Sequence, residues 1–137
     1  MPPEESECLV ASLKAHQLDP IFLLAPTTTD DRIASITAAA SGYVYYVSLK
    51  GVTGSNALDI DSVKERIATI RQFSQLPIGV GFGIKDAQSA AAVARCANGV
   101  VVGSVLVNRI AELQQTPELI PAQLQAIMSE MRQAMDA

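Results

Sequence analysis

The 137-residue sequence predicts an α/β fold in which parallel strands alternate with helices. Three observations carry this. Pro20-Ile-Phe-Leu-Leu-Ala, Tyr43-Val-Tyr-Tyr-Val-Ser, Pro77-Ile-Gly-Val and Gly99-Val-Val-Val are short apolar or β-branched runs, each too short for a helix. Each is followed by a segment with helical spacing, so strand and helix alternate four times after an initial helix. The last two runs end in glycine just before a helical pattern begins. The array fits either a small open sheet or half of an eight-stranded barrel, and element order alone leaves both open.

The initial helix runs from Glu4 to His16, with Pro2 and Pro3 in front, acids in its first turn, and Cys8, Leu9, Leu13 and Leu18 near helical spacing. The run closed by Pro26 lacks alternation, which predicts a strand buried on both faces. Thr27-Thr-Thr-Asp-Asp offers helix caps, Ile33, Ile36 and Ala40 form a stripe, and Ser41-Gly42 is expected to end that helix. Leu49 to Asp59 has no periodicity and reads as a long loop. Asp61 or Ser62 is expected to cap the next helix, whose apolar stripe is Val63, Ile67, Ile70 and Phe73. An alanine-rich helix spans Asp86 to Cys96 and a short one Ser104 to Leu113. Thr116-Pro-Glu is expected to cap a last helix with Leu119, Leu124, Ile127, Met128 and Met131 inward.

One domain over residues 1–137 is expected from the length. A hydrophobic share of 49% against 18% charged is high for this size and predicts apolar surface covered by something outside the sequence. The formal charge of −4, without any basic run, argues against nucleic acid. No apolar stretch is long enough for a bilayer, and the start lacks the charge and apolar pattern of a signal peptide, so a cytoplasmic location is expected. Cys8 and Cys96 read as buried small hydrophobes, and His16 stands alone, so neither metal binding nor thiol–His or Ser–His–Asp chemistry is supported.

The chemistry concentrates at the glycines. Gly81-Phe-Gly83 ends the third strand and Gly103-Ser104 the fourth, opening a short helix. Backbone N–H groups there can point outward where no side chain blocks an anion. Single glycines also serve simply as tight turns, but two matched glycine ends favour a phosphate cradle. Gly51-Val-Thr53-Gly54 reads equally as a lid over the same ligand or as a connector. Tyr45 shares a strand face with Tyr43 and Val47, while Val44 and Tyr46 share the other. A Tyr there reads first as a packed residue. Glu4, Glu5, Asp59 and Asp61 sit where capping or solvation is expected, and none makes a convincing general acid or base.

Taken in order, Pro2-Pro-Glu-Glu-Ser, Pro20-Ile-Phe-Leu-Leu-Ala-Pro-Thr-Thr, Gly42-Tyr-Val-Tyr-Tyr-Val-Ser, Gly51-Val-Thr-Gly, Pro77-Ile-Gly-Val-Gly-Phe-Gly-Ile and Val101-Val-Gly-Ser resemble the α subunit of tryptophan synthase. The resemblance covers the whole chain with compatible spacing. It implies a parallel (βα)4 half of a TIM (β/α)8 barrel, strands five to eight with flanking helices. It also implies a lyase of tryptophan biosynthesis, cleaving indole-3-glycerol phosphate to indole and glyceraldehyde 3-phosphate. The family's catalytic Glu, on its second strand, and catalytic Asp, in the loop after it, fall outside this sequence, so this chain alone is expected to be inactive.

By matching motif position, the resemblance makes Gly54, Gly83, Gly103 and Ser104 binders of the glycerol phosphate, with Gly81 and Phe82 shaping that wall. Tyr45 resembles the Tyr beside the catalytic acid, and Thr53 the lid Thr that closes over substrate, both supporting residues. Leu49 departs from the Arg of some members, and the segment between Gly83 and Gly103 is slightly shorter than in some. The resemblance implies no cofactor here, pyridoxal phosphate belonging to the β subunit of an α2β2 heterotetramer. A half-barrel would expose sheet edges, which predicts self-association. A non-catalytic phosphate-binding half-barrel or assembly module is the alternative. Indole-glycerol-phosphate synthase is a third, less favoured by Gly-Val-Thr-Gly together with Gly-Phe-Gly-Ile.

Overall fold

A computed structural model describes residues 5–48, 59–81 and 83–137. The elements are α1 (Glu7–Ala15), β1 (Phe22–Leu24), α2 (Asp30–Ala39), β2 (Val44–Val47), α3 (Ile60–Phe73), β3 (Ile78–Gly81), α4 (Ala87–Ala94), β4 (Gly99–Val101), α5 (Ser104–Glu112), a 3-10 turn (Pro117–Leu119) and α6 (Ile120–Asp136). The four strands form one sheet in the order β1-β2-β3-β4, every pair parallel. The predicted alternation is therefore the observed topology.

Register decides the two faces. Val44 pairs with Phe22 and Ile78, and Tyr46 with Leu24 and Val80, so these residues share one side of the sheet. That side is the core: Leu24, Val44, Tyr46, Ile78 and Val80 are buried with Ile33 of α2, Ile67 and Ile70 of α3, Val93 of α4 and Met131 of α6. Each such side chain contributes about 1.5–3 kcal/mol by leaving water. The opposite side carries Leu23, Tyr43, Tyr45, Gly79 and Val101, and there Leu23 is 62% exposed, Tyr43 38% and Val101 37%. The expectation that the first strand is buried on both faces is thus corrected. The helices cover one face only, so alternate residues of an apolar run face outward.

Several local expectations change for identifiable reasons. Asp59, rather than Asp61 or Ser62, caps α3, its carboxylate accepting from the Ser62 N–H at 3.1 Å. Gly42 does not end α2, which stops at Ala39. It takes φ +70° in the turn into β2, where Asp19 packs against its Cα and accepts from the Ser41 hydroxyl at 2.6 Å. Thr116 makes no side-chain cap, because Pro117 starts a 3-10 turn and α6 follows only at Ile120. Cys8 is exposed rather than buried, since α1 buries none of its residues, and Cys96 is half-buried, its thiol donating to the Val93 carbonyl. Phe73, Leu119 and Met128 also remain exposed at helix ends or on outer faces.

Candidate functional site

A cleft of about 740 Å³ opens at the carboxyl ends of β3 and β4. Tyr45, Gly83, Lys85, Gly103, Ser104 and Arg109 are among its lining residues. Of the sequence-predicted residues, the fold therefore brings Tyr45, Gly83, Gly103 and Ser104 together. Gly81 stands immediately beneath, since a Cβ there would meet the Tyr45 hydroxyl and ring. Thr53, Gly54 and Phe82 lie outside the described residues, as does Glu4.

Each position has a local cause. The Gly81 carbonyl accepts from both the N–H of Ser48 at 3.0 Å and its hydroxyl at 2.9 Å, which ties the end of β2 to the end of β3. Two residues on, Gly83 takes φ +78°, a conformation that side-chain-bearing residues pay to adopt, and so turns the chain away from the strand. Gly103 is different. A Cβ there would meet nothing within 4 Å, so the missing side chain leaves open space in the cleft wall. Gly103 is also the N-cap of α5, whose first turn no side chain caps. A helix start of this kind presents N–H donors and the positive end of the helix dipole.

Sequence reasoning missed the polar side chains of the cleft. Ser104, Asn108 and Glu112 recur at intervals of four along α5 and so share its cleft-facing side with Arg109. Arg109 is held by Glu112 at 2.8 Å and by Gln123 of α6 at 2.8 Å, which fixes α5 against α6. Lys85 lies in the turn between β3 and α4. The i, i+4 spacing on α5 was available in the sequence, but only the fold shows which side of the helix faces the cleft. No group of three or more His, Cys, Asp or Glu able to hold a metal occurs among the described residues, and no described helix is long and apolar enough to cross a membrane. The arrangement can take an anionic group by backbone donors, with cationic side chains nearby.

The fold and the position of the cleft define a protein of the βα-barrel class, with its site at the carboxyl ends of the strands. The family model described as "Tryptophan synthase alpha chain" matches residues 1–136. The tryptophan synthase alpha chain of Thioalkalivibrio sulfidiphilus is 60% identical over 136 residues, covering 99% of this chain and 51% of that one. That of Nitrosococcus oceani is 55% identical over 137 residues, covering 100% and 51%. Among solved structures, tryptophan synthase subunit alpha from Legionella pneumophila superposes with a TM-score of 0.83 at 38% identity, over 98% of this chain and 49% of that one. The chain belongs to the tryptophan synthase alpha chain family, and it spans about half the length of the curated relatives it matches. Its sheet and flanking helices are accordingly about half of a TIM barrel.

Proposed function

We propose that this chain is the phosphate-binding half of a tryptophan synthase α subunit, the lyase that cleaves indole-3-glycerol phosphate to indole and glyceraldehyde 3-phosphate in tryptophan biosynthesis. The observation that carries the reading is the cleft that joins Gly83 to Gly103 and Ser104 at the uncapped start of α5. Retro-aldol cleavage needs the indole ring protonated at carbon 3 and the glycerol hydroxyl deprotonated, each step worth about 10²–10⁴-fold when the acid or base is positioned. On this reading Gly83, Gly103 and Ser104 anchor the phosphate by backbone and hydroxyl donors. Gly81 and Phe82 shape the wall, and Thr53 and Gly54 close over it. Tyr45 packs beside the place where the family's acid acts.

Anchoring of this kind holds substrate without stabilising the transition state, so binding is expected without turnover. The acid and base come from the four βα units that this chain does not match, the β subunit receives the indole, and pyridoxal phosphate belongs to that subunit. No cofactor is needed for the α reaction, which is expected to run in the cytoplasm.

Calorimetric titration with indole-3-propanol phosphate tests the binding claim. Binding by the chain that disappears in Gly83→Asp supports it, because a carboxylate in the cradle repels the phosphate. Unchanged affinity in that variant removes the cradle. Indole release above background by this chain alone would show that the acid and base had been misplaced.

A further inference from the structure

We infer that Lys85 is a specificity-determining residue of this cleft, supplying the mobile positive charge that selects a phosphomonoester dianion over ligands of lower charge. The inference rests on the reading of the cleft as a phosphate site. It begins with the cleft's two cations, Lys85 and Arg109. Arg109 is committed, its guanidinium spanning Glu112 and Gln123, so its charge is largely offset by a carboxylate that lines the same cleft. Lys85 makes no ion pair with any described residue.

The nearest acid in sequence, Asp86, is already occupied. Its carboxylate accepts from the Ser89 N–H at 2.8 Å and from the Ser89 hydroxyl at 2.6 Å as the cap of α4. That cap also fixes where Lys85 starts. The N–H groups of Lys85 and Asp86 each donate to the Ser89 hydroxyl oxygen at 3.2 Å, so the backbone is pinned while the four-carbon side chain is free to swing. Lys85 thus stands two residues beyond the φ +78° turn at Gly83, on the rim opposite the α5 start.

Backbone donors and a helix dipole bring only partial charges, and they satisfy a carboxylate or a monoanion nearly as well as a dianion. A full, unpaired ammonium on a flexible stem adds a term that grows with ligand charge. A solvated lysine with no part in binding would leave affinity and its salt dependence unchanged, and this gives the test.

Glycerol 3-phosphate and indole-3-propanol phosphate are titrated calorimetrically into the chain and into Lys85→Met, Lys85→Arg and Gly103→Asp, at low and moderate salt. Lys85→Met is expected to weaken both ligands about tenfold and to flatten the salt dependence, while Lys85→Arg stays within about threefold of the parent. Lys85 is exposed, so Lys85→Met should keep the far-ultraviolet circular dichroism of the parent, and Lys85→Gln reads the same loss of charge if it does not. Gly103→Asp places a carboxylate in open space and should abolish binding. Parent-like affinity in Lys85→Met alongside loss in Gly103→Asp overturns the role of Lys85 and leaves the phosphate site standing. Absence of binding in the parent, or unchanged binding in Gly103→Asp, overturns both.

Discussion

Tyr45 rests on the bare backbone of Gly81, and a methyl group added there would lie 2.5 Å from the ring's Cζ and closer still to the hydroxyl. Glycine at 81 is therefore a packing requirement of the site and not only a turn residue. Gly81→Ala is expected to force the ring aside at a cost of about 1–3 kcal/mol, the range for overpacking a filled space. Tyr45→Ala removes the obstacle, so the double variant should lose clearly less stability than the two single losses added together. Urea midpoints of the four proteins check this, and strict additivity would mean that the two residues do not share the space. The sequence showed that Tyr45 shares a face with Tyr43 and Val47, because that follows from period-two alternation alone. It did not show the contact with Gly81, because that depends on register: Tyr45 pairs with Gly79 and Val47 with Gly81, and the ring reaches diagonally between them. Lys85, Asn108 and Arg109 were hidden for a related reason. They reach the cleft from a turn and a helix that only the folded sheet brings together.

Helix starts show the same division between composition and geometry. Asp86 and Ser89 form a reciprocal capping box on α4. Hydrogen bonds from the Ser89 hydroxyl, then its N–H, hold the Asp86 carboxyl below its ordinary pKa. The folded state thus favours the ionised form, and the unfolded chain takes up the proton first as pH falls. The stabilisation is fully present above the ordinary carboxylate range and is lost as pH falls through the lowered folded value. Asp86→Ala is expected to cost about 1 kcal/mol near neutral pH, with the difference from the parent shrinking toward acid. Asp86→Asn should keep most of the cap without that pH dependence. Thermal unfolding across a pH series measures it, and a pH-independent difference for Asp86→Ala would assign the loss to something other than the charged cap. Element type and order were legible, because a helical stripe such as Val63, Ile67 and Ile70 and a short β-branched run such as Val100 and Val101 are distinct periodicities. Cap identity was less so. Asp59, Asp61 and Ser62 are all competent, and only the extended backbone at Asp59 selects among them.

At the scale of the molecule, the sheet is covered on one face and bare on the other, and both of its edges, β1 and β4, lack a neighbouring strand among the described residues. Beside β1, a groove of about 550 Å³ is lined by Leu9, Leu13, Phe22 and Leu23, an apolar channel along an open edge. The high apolar share of the sequence signalled that something covers such a surface, and the structure shows where. Composition could not locate it, because the apolar residues of β1 look alike whether they point toward helices or away. Unpaired strand edges next to exposed leucine and tyrosine are a template for association. A two-fold axis parallel to the strands would set β4 of one copy beside β1 of the other, twice, keeping every strand parallel and enclosing both bare faces. The 137-residue chain by itself is therefore expected to self-associate at micromolar concentration, giving a mass above 14.5 kDa by size exclusion with light scattering. Leu23 is the position to probe, being 62% exposed and outside the helix-covered core. Leu23→Lys should leave the helices folded by circular dichroism while a charge on the bare face drives the assembly toward monomer. A parent that runs as a stable monomer would show that neither the edges nor the bare face seeks a partner. Association undiminished in Leu23→Lys would move the contact away from this face.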